Sequence, residues 1–135
     1  MHTTKISRTI LVVDDEALIL DCIRRILEQA NYIVLTSLSG DHALGVIARQ
    51  GASIDLVLTD IVMPGSIDGR ALAAKIRQRD VNLPVLFMTG APEDAEDPAV
   101  ITKEKLLLRK PFSPKQLVEF IDSYFAEKRS RSLRS

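Results

Sequence analysis

Three consecutive carboxylates follow the first apolar run of the chain. Residues 10–17 read ILVVDDEA, so a strand-like segment ends in Asp14, Asp15 and Glu16. Adjacent like charges repel one another, and moving a carboxylate out of water costs several kcal/mol unless a positive charge compensates. Two interpretations follow: the acids lie in open water as an ordinary loop, or they hold a cation.

Polar residues also end three later apolar runs. Asp60 follows IDLVLT, Thr89 ends PVLFMT, and Lys110 follows LLLR. Carboxylates are ligands that Mg²⁺ prefers, lysine supplies a positive charge, and a hydroxyl both donates and accepts hydrogen bonds. These groups suit phosphoryl transfer, which depends on positioning and charge neutralisation. A carboxylate can itself become an aspartyl phosphate, and Asp60 is the candidate because Asp14 and Asp15 can share the metal.

The spacing of apolar residues predicts alternating strands and helices. Continuous apolar runs predict five strands, at Thr9–Val13, Tyr32–Thr36, Ile54–Thr59, Pro84–Met88 and Leu106–Leu108. Apolar residues three and four positions apart predict helices between the strands. The clearest is the last helix, for which Ser113, Pro114 and Gln116 form a capping-box start.

Strand–helix alternation with continuously apolar strands predicts a parallel sheet that is covered on both faces. We therefore predict a doubly wound three-layer α/β sandwich. In the strand order 2-1-3-4-5, the order reverses between strands one and three, and the acids that follow both strands would converge there.

Two segments depart from this regular pattern. Residues 91–105 read APEDAEDPAVITKEK, so we expect the fourth helix to be short, late-starting or mobile. Residues 129–135 form a basic polar tail, which we expect to be frayed and solvated rather than a nucleic-acid-binding arm. The predicted division is an N-terminal extension at 1–8, one domain at 9–128, and the tail.

Composition narrows the class of protein. Lys plus Arg and Asp plus Glu both total 18, so the balanced charge gives no reason to expect binding to nucleic acid or to a membrane surface. The single cysteine, Cys22, cannot form an internal disulfide, and its place in a helical pattern predicts burial. The chain has no long apolar run and no signal-peptide pattern, so we expect a cytoplasmic location. His2 and His42 are too far apart to suggest zinc, and no pattern places either in catalysis.

The segments VVDDE, LTDIVMPGSIDG, LFMTG and LLLRKPFSP, in this order and spacing, resemble the receiver domain of bacterial two-component response regulators. The resemblance covers roughly Thr9 to Lys128. It implies the five-stranded CheY-like fold, which is flavodoxin-like with strand order 2-1-3-4-5.

The resemblance implies a Mg²⁺ site beside a phosphorylated aspartate. Asp60 matches the phosphoryl acceptor and is also a metal ligand. Asp15 matches the more direct ligand of the Mg²⁺, and Asp14 contributes through water. Val62 matches a residue whose backbone carbonyl binds the metal.

Three further residues match the family's switch machinery. Thr89 matches the hydroxyl that turns toward the phosphoryl group, and Lys110 matches the lysine that pairs with a phosphoryl oxygen. Pro111 matches a proline whose preceding peptide bond is cis, which would direct Lys110 back into the crevice.

The sequence departs from the family pattern in three places. The loop PGSIDG is one residue longer than the commonest form, and Leu107 stands where the family usually has a switching Tyr or Phe. PVLFMTG partly resembles a subgroup with the signature PFxFATGY and a poorly formed fourth helix, but Val85, Met88 and Ala91 break that signature. Our hypothesis is therefore that signalling depends on order and disorder of residues 91–105.

These features predict a stand-alone, single-domain response regulator. It would receive its phosphoryl group from a sensor histidine kinase or phosphotransfer protein and signal to a downstream protein or within a phosphorelay. We expect a monomer or weak homodimer that catalyses its own phosphorylation and dephosphorylation but does not turn over free substrates. One alternative is a phosphorylation-independent interaction module, although no acid or lysine is missing. Another is a small Mg²⁺-dependent phosphohydrolase, which would need an acid where Val62 stands.

Overall fold

A computed structural model describes residues 7–80, 82–91 and 107–134, with side chains described up to Ser130. Within these residues, strands and helices alternate along most of the chain. The strands are β1 (Thr9–Val13), β2 (Ile33–Ser37), β3 (Leu56–Asp60), β4 (Val85–Thr89) and β5 (Leu107–Arg109). The helices are α1 (Ala17–Gln29), α2 (Gly40–Gln50), α3 (Gly69–Arg79) and α4 (Pro114–Arg134), and a 3₁₀ turn at Gly51–Ser53 follows α2.

All five strands are parallel, and their order is β2-β1-β3-β4-β5. The predicted fold class and strand order are confirmed, although each strand after β1 begins one or two residues later than expected. Val13 lies beside both Ser37 and Thr59, so the residues that follow β1, β2 and β3 leave the sheet at one edge. We call this the carboxyl edge and the opposite one the amino edge.

Two hydrophobic clusters cover the two faces of the sheet. Successive residues of β1 alternate between them, with Leu11 and Val13 in one cluster and Ile10 and Val12 in the other. The first cluster includes buried residues of α2 and α3, and the second includes buried residues of α1 and α4. This arrangement is the predicted three-layer sandwich, and it explains why successive residues of the central strands, such as Ile10–Val13 of β1 and Leu56–Leu58 of β3, are all apolar.

The capping box predicted for the last helix is present. The Ser113 amide donates to the Gln116 side chain (2.8 Å), and the Gln116 amide donates to the Ser113 hydroxyl (3.1 Å). The helix then continues to Arg134, so the expectation of a frayed tail is wrong for residues 129–134. Neither Gly nor Pro follows Pro114, so no residue breaks the helix.

The predicted burial of Cys22 is wrong, because its side chain is exposed. The buried positions of α1 are Leu20, Ile23 and Leu27, which share one face at helical spacing, and Cys22 projects away from that face. No described helix is both long and apolar enough to cross a membrane. The proposed irregular fourth helix lies outside the described residues except for Ala91.

Candidate acidic phosphoryl-transfer site

Three carboxylates converge at the carboxyl edge, where the strand order reverses. Asp14, Asp15 and Asp60 each offer an oxygen atom, and these atoms lie within 4.8 Å of one another. Asp14 is fully buried, Asp60 is 8% exposed, and Asp15 is exposed. The structure thus brings together the three acids that the sequence singled out. Such an all-oxygen cluster can hold a hard divalent cation.

Lys110 connects two of these acids. Its Nζ lies 2.9 Å from Asp14 Oδ2 and 3.3 Å from Asp60 Oδ2, and the lysine side chain is only 18% exposed. The other oxygen of Asp14, Oδ1, accepts a hydrogen bond from the Glu16 amide (2.9 Å). Asp14 is therefore held by one ammonium group and one backbone N–H, which offset the cost of its burial.

The crevice shifts the pKa values of two of its groups. Burial raises the pKa of Asp60 above its ordinary value, and the charges of Asp14 and Asp15 add to this effect while Lys110 opposes it. Burial alone would lower the pKa of Lys110, but its hydrogen bond to Asp14 and the charge of Asp60 raise it. Lys110 is therefore a permanent cation, and ionised Asp60 is a poorly solvated carboxylate.

Thr89 ends β4 beside this crevice and is nearly fully buried. Its hydroxyl accepts a hydrogen bond from the Ala91 amide (3.0 Å), and its carbonyl accepts one from the Lys110 amide (2.7 Å). One residue of β4 thus places a hydroxyl at the carboxyl edge and also positions the backbone of Lys110.

The remaining predicted residues lie next to these groups in the chain. The Lys110–Pro111 peptide bond is cis, as predicted. Val62 lies two residues beyond Asp60, and its side chain is 64% exposed. Leu107 begins β5, is half-buried and packs against the cluster of α2 and α3, beside Phe87 in register.

A glycine allows the loop after Asp60 to return to the sheet. The Gly69 amide donates to the Ile61 carbonyl (2.8 Å), and Asp68 caps α3 by accepting from the Ala71 amide (2.9 Å). A Cβ atom at Gly69 would lie 2.2 Å from the Asp60 carbonyl oxygen, far inside any allowed contact. No sequence pattern singles out Gly69, because the need for glycine at this position arises from a close approach of two backbones.

A contact between His42 and Ser37, next to Asp14, was not predicted from the sequence. His42, which no pattern placed in the site, lies with its Nδ1 2.7 Å from Ser37 Oγ at the end of β2. The Ser37 carbonyl in turn accepts from the Asp14 amide (3.1 Å). No sequence signal links these residues, because the contact depends on how β1, β2 and α2 meet.

Comparison with known proteins agrees with this geometry. Residues 10–122 match the family model of the response regulator receiver domain. The chain is 32% identical over 110 residues to the uncharacterized transcriptional regulatory protein YbdJ of Bacillus subtilis, covering 81% of this chain and 47% of that protein. It is 35% identical over 116 residues to the sensor kinase CckA of Brucella abortus, covering 82% of this chain and 12% of that one. This chain thus spans about half or less of the length of these two curated relatives.

Solved structures show the same fold. A response regulator receiver domain from Clostridium thermocellum superimposes with a TM-score of 0.78 and 31% identity, covering 90% of this chain and 97% of that one. A receiver protein from Sinorhizobium medicae superimposes with a TM-score of 0.73 and 32% identity, covering 87% and 93%. The strand order and the acidic crevice at the carboxyl edge agree with the match to the family model. This chain belongs to the response regulator receiver domain family of two-component signalling proteins.

Proposed function

We propose that this chain accepts a phosphoryl group on Asp60 in a Mg²⁺-dependent reaction. The donor is a phosphohistidine on a sensor histidine kinase or a phosphotransfer protein. One observation carries the proposal: the Lys110 ammonium lies between two buried carboxylates, Asp14 and Asp60, and both belong to an all-oxygen cluster whose third member, Asp15, is exposed to solvent.

The donor atoms of the cluster fit Mg²⁺. Asp14, Asp15 and Asp60 supply only carboxylate oxygens, and the exposed side of the crevice leaves room for the waters that Mg²⁺ retains. By the family resemblance, the backbone carbonyl of Val62 is a further ligand, and Asp14 contributes through water. When bound, the cation neutralises the negative charge that gathers around a phosphoryl group during transfer.

The transfer step needs few groups from the protein. Lys110 contacts Oδ2 of Asp60, and a carboxylate oxygen of Asp60 attacks phosphorus. The new O–P bond forms as the bond from phosphorus to the donor nitrogen breaks, and a proton returns to the leaving imidazole. Lys110 pairs with a phosphoryl oxygen, and the Thr89 hydroxyl turns toward the same group. Water later attacks the aspartyl phosphate, which restores the carboxylate and releases inorganic phosphate.

The phosphoryl group then acts as a switch. It adds negative charge and strong acceptor oxygens beside Thr89 and Lys110, whose backbones are joined by a hydrogen bond. Because Leu107 replaces an aromatic residue, we propose that the signal passes through residues 91–105 to a partner protein. The cytoplasmic location and the monomeric or weakly dimeric state belong to the same proposal, as does the lack of turnover on free substrates.

The proposal is tested by the intact mass of the protein after incubation with acetyl phosphate and Mg²⁺. We expect a gain of one phosphoryl group in the wild type, no gain when EDTA replaces Mg²⁺, and no gain in Asp60→Asn. Asparagine keeps the shape of the side chain but is a poor nucleophile, so this variant is the matched control.

If the wild-type protein gains no mass, a second measurement is needed, because rapid hydrolysis of the aspartyl phosphate would remove the adduct before detection. Phosphate release is therefore followed in the same samples, with a phosphoramidate as the more reactive donor. Absence of both adduct and released phosphate would overturn phosphoryl transfer and favour the phosphorylation-independent interaction module.

A further inference from the structure

A serine–histidine contact lies in the turn that joins β2 to α2. Ser37 is the last residue of β2, and its hydroxyl is buried. This hydroxyl donates to the Ser39 carbonyl (3.0 Å), and it lies 2.7 Å from Nδ1 of His42. A hydroxyl has one proton but two lone pairs, so it can accept from an N–H at Nδ1 while it donates to Ser39.

The backbone of the same serine holds the first acidic residue of the crevice. The Asp14 amide donates to the Ser37 carbonyl (3.1 Å), which is the last hydrogen bond between the β1 and β2 segments. Immediately beyond this bond, the Asp14 carboxylate contacts Lys110. Ser37 is therefore fixed through its side chain on one side and through its carbonyl on the other.

The histidine is itself held firmly where it begins α2. The His42 amide donates to the Ser39 hydroxyl (3.1 Å), which is the cap of the helix. Its imidazole then reaches back from the first turn to Ser37. The imidazole faces solvent, whereas the hydroxyl that it contacts is 2% exposed, so the contact joins a surface side chain to the buried end of β2.

The same turn also packs against the loop that follows Asp60. A Cβ atom at Gly40 would lie 2.5 Å from both the carbonyl oxygen and the Cγ2 atom of Ile67. The turn from Ser37 to His42 thus lies between the segment that carries Asp14 and the loop that follows Asp60. A displacement of this turn would be transmitted to both sides of the crevice.

We propose that His42 is a positioning residue for the Mg²⁺ site: its Nδ1 holds the Ser37 hydroxyl, and Ser37 holds the backbone of Asp14. This inference rests on the proposed function, because the Mg²⁺ site is part of it. Measuring Mg²⁺ binding nevertheless tests the inference without phosphoryl transfer. The imidazole of His42 acts on the acids through its contact with Ser37.

The test compares three variants in their affinity for Mg²⁺, measured by titration calorimetry of the full chain. In His42→Asn, the side-chain amide nitrogen occupies about the place of Nδ1 and can still donate to Ser37. His42→Gln places its amide near the position of Nε2 instead, and His42→Ala removes the donor. We expect Ala and Gln to raise the dissociation constant roughly three- to tenfold, as expected for one hydrogen bond, and Asn to stay within about twofold of wild type.

Ser37→Ala supplies the second half of a double-mutant cycle. If His42 acts only through this serine, Ser37→Ala raises the Mg²⁺ dissociation constant as His42→Ala does, and the double variant adds nothing further. Thermal unfolding of every variant is measured in EDTA. A purely structural role would lower the unfolding temperature and leave the Mg²⁺ affinity of the folded protein unchanged.

Three results would overturn the inference: unchanged affinity in His42→Ala, failure of His42→Asn to restore affinity, or fully additive effects in the cycle. Absence of Mg²⁺ binding in the wild type would overturn it as well. If Mg²⁺ binds as expected but acetyl phosphate leaves no adduct and releases no phosphate, the proposed function fails while the positioning role of His42 stands.

Discussion

The two edges of the sheet use charged and polar side chains in opposite ways. At the carboxyl edge, Asp14 and Asp60 are withdrawn from water and share one ammonium group. At the amino edge, the guanidinium of Arg8 lies 4.6 Å from the ring centroid of Phe125, and the Tyr32 hydroxyl donates to Asp122 on α4. Tyr32 also stacks on Phe125, with ring centroids 6.0 Å apart.

The carboxyl edge therefore has the features of a functional site, whereas the contacts at the amino edge have the features of structural ones. Each of these polar contacts at the amino edge pairs one charged group with a neutral one, Arg8 with the Phe125 ring and Asp122 with the Tyr32 hydroxyl, and attaches α4 to residues next to the sheet, so these contacts contribute to stability. The acids of the carboxyl edge repel one another, and the charge of Lys110 offsets part of that repulsion. Substitutions at the carboxyl edge should therefore affect chemistry more than folding, and those at the amino edge the reverse.

The largest expected effect comes from replacing the basic side chain at each edge, Lys110 or Arg8, with an uncharged one. Lys110→Met keeps most of the side-chain length but removes the charge, and we expect it to slow labelling of Asp60 by acetyl phosphate about 100-fold or more. Arg8→Met is the matched variant at the amino edge. It should leave the labelling rate within about twofold and lower the free energy of unfolding by about 0.5–1 kcal/mol. Equal labelling rates in the two variants would contradict the comparison.

A second prediction concerns the backbone at the carboxyl edge. A Cβ atom at Gly69 would overlap the Asp60 carbonyl oxygen, so Gly69→Ala should lower the free energy of unfolding by about 1–3 kcal/mol and slow labelling by displacing Asp60. Gly45→Ala is the control, because its Cβ would meet only the flexible end of Arg49 within a helix. That change should be neutral or stabilise the fold by up to about 1 kcal/mol. Chemical denaturation measures both, and a Gly69→Ala protein as stable as wild type would refute the overlap.

The third prediction is that Asp60, the proposed phosphoryl acceptor, lowers the stability of the metal-free fold. Folding raises the pKa of Asp60, so its contribution to stability is present below the ordinary carboxyl pKa of 3.8 and is lost as the pH rises through the folded value. Asp60→Asn should therefore be more stable than wild type by about 1 kcal/mol at pH 7 in EDTA. The advantage should shrink as the pH approaches 3.8 and when Mg²⁺ is added. An advantage that is the same in EDTA and in Mg²⁺ would argue against cation relief.

The smallest effect is expected from the hydrogen bond of Tyr32 at the amino edge. Tyr32→Phe removes the hydrogen bond to Asp122 and should lower the free energy of unfolding by about 0.5–1.5 kcal/mol without changing the labelling rate. Burial, followed by the bond to Asp122, raises the pKa of Tyr32 well above its ordinary value of 10.0. Its contribution is thus complete below pH 10 and declines above it, so the difference between the two proteins should narrow there. A changed labelling rate would show that the two edges are coupled.

Elements whose signals are local in the chain were predicted well. Most of each strand is a continuous apolar run, and the capping box of α4 needs only Ser113 and Gln116, which are three positions apart. The convergence of Asp14 and Asp60 also followed from local information, because parallel strands place residues after their carboxyl ends at one edge. The prediction for Cys22 was wrong because a place in a helical pattern does not by itself tell which face a residue occupies, and only one face of α1 meets the sheet.

By itself, the sequence determined which residues end strands at the carboxyl edge, and therefore which groups were available for chemistry. The tertiary structure decided how those groups are used: Lys110 between Asp14 and Asp60, Gly69 against the Asp60 carbonyl, and His42 behind Asp14. The physical reason is the separation along the chain between the residues that interact. Strand and helix patterns depend on neighbours a few residues apart, whereas these contacts require backbones from distant parts of the chain to pack within a few ångströms.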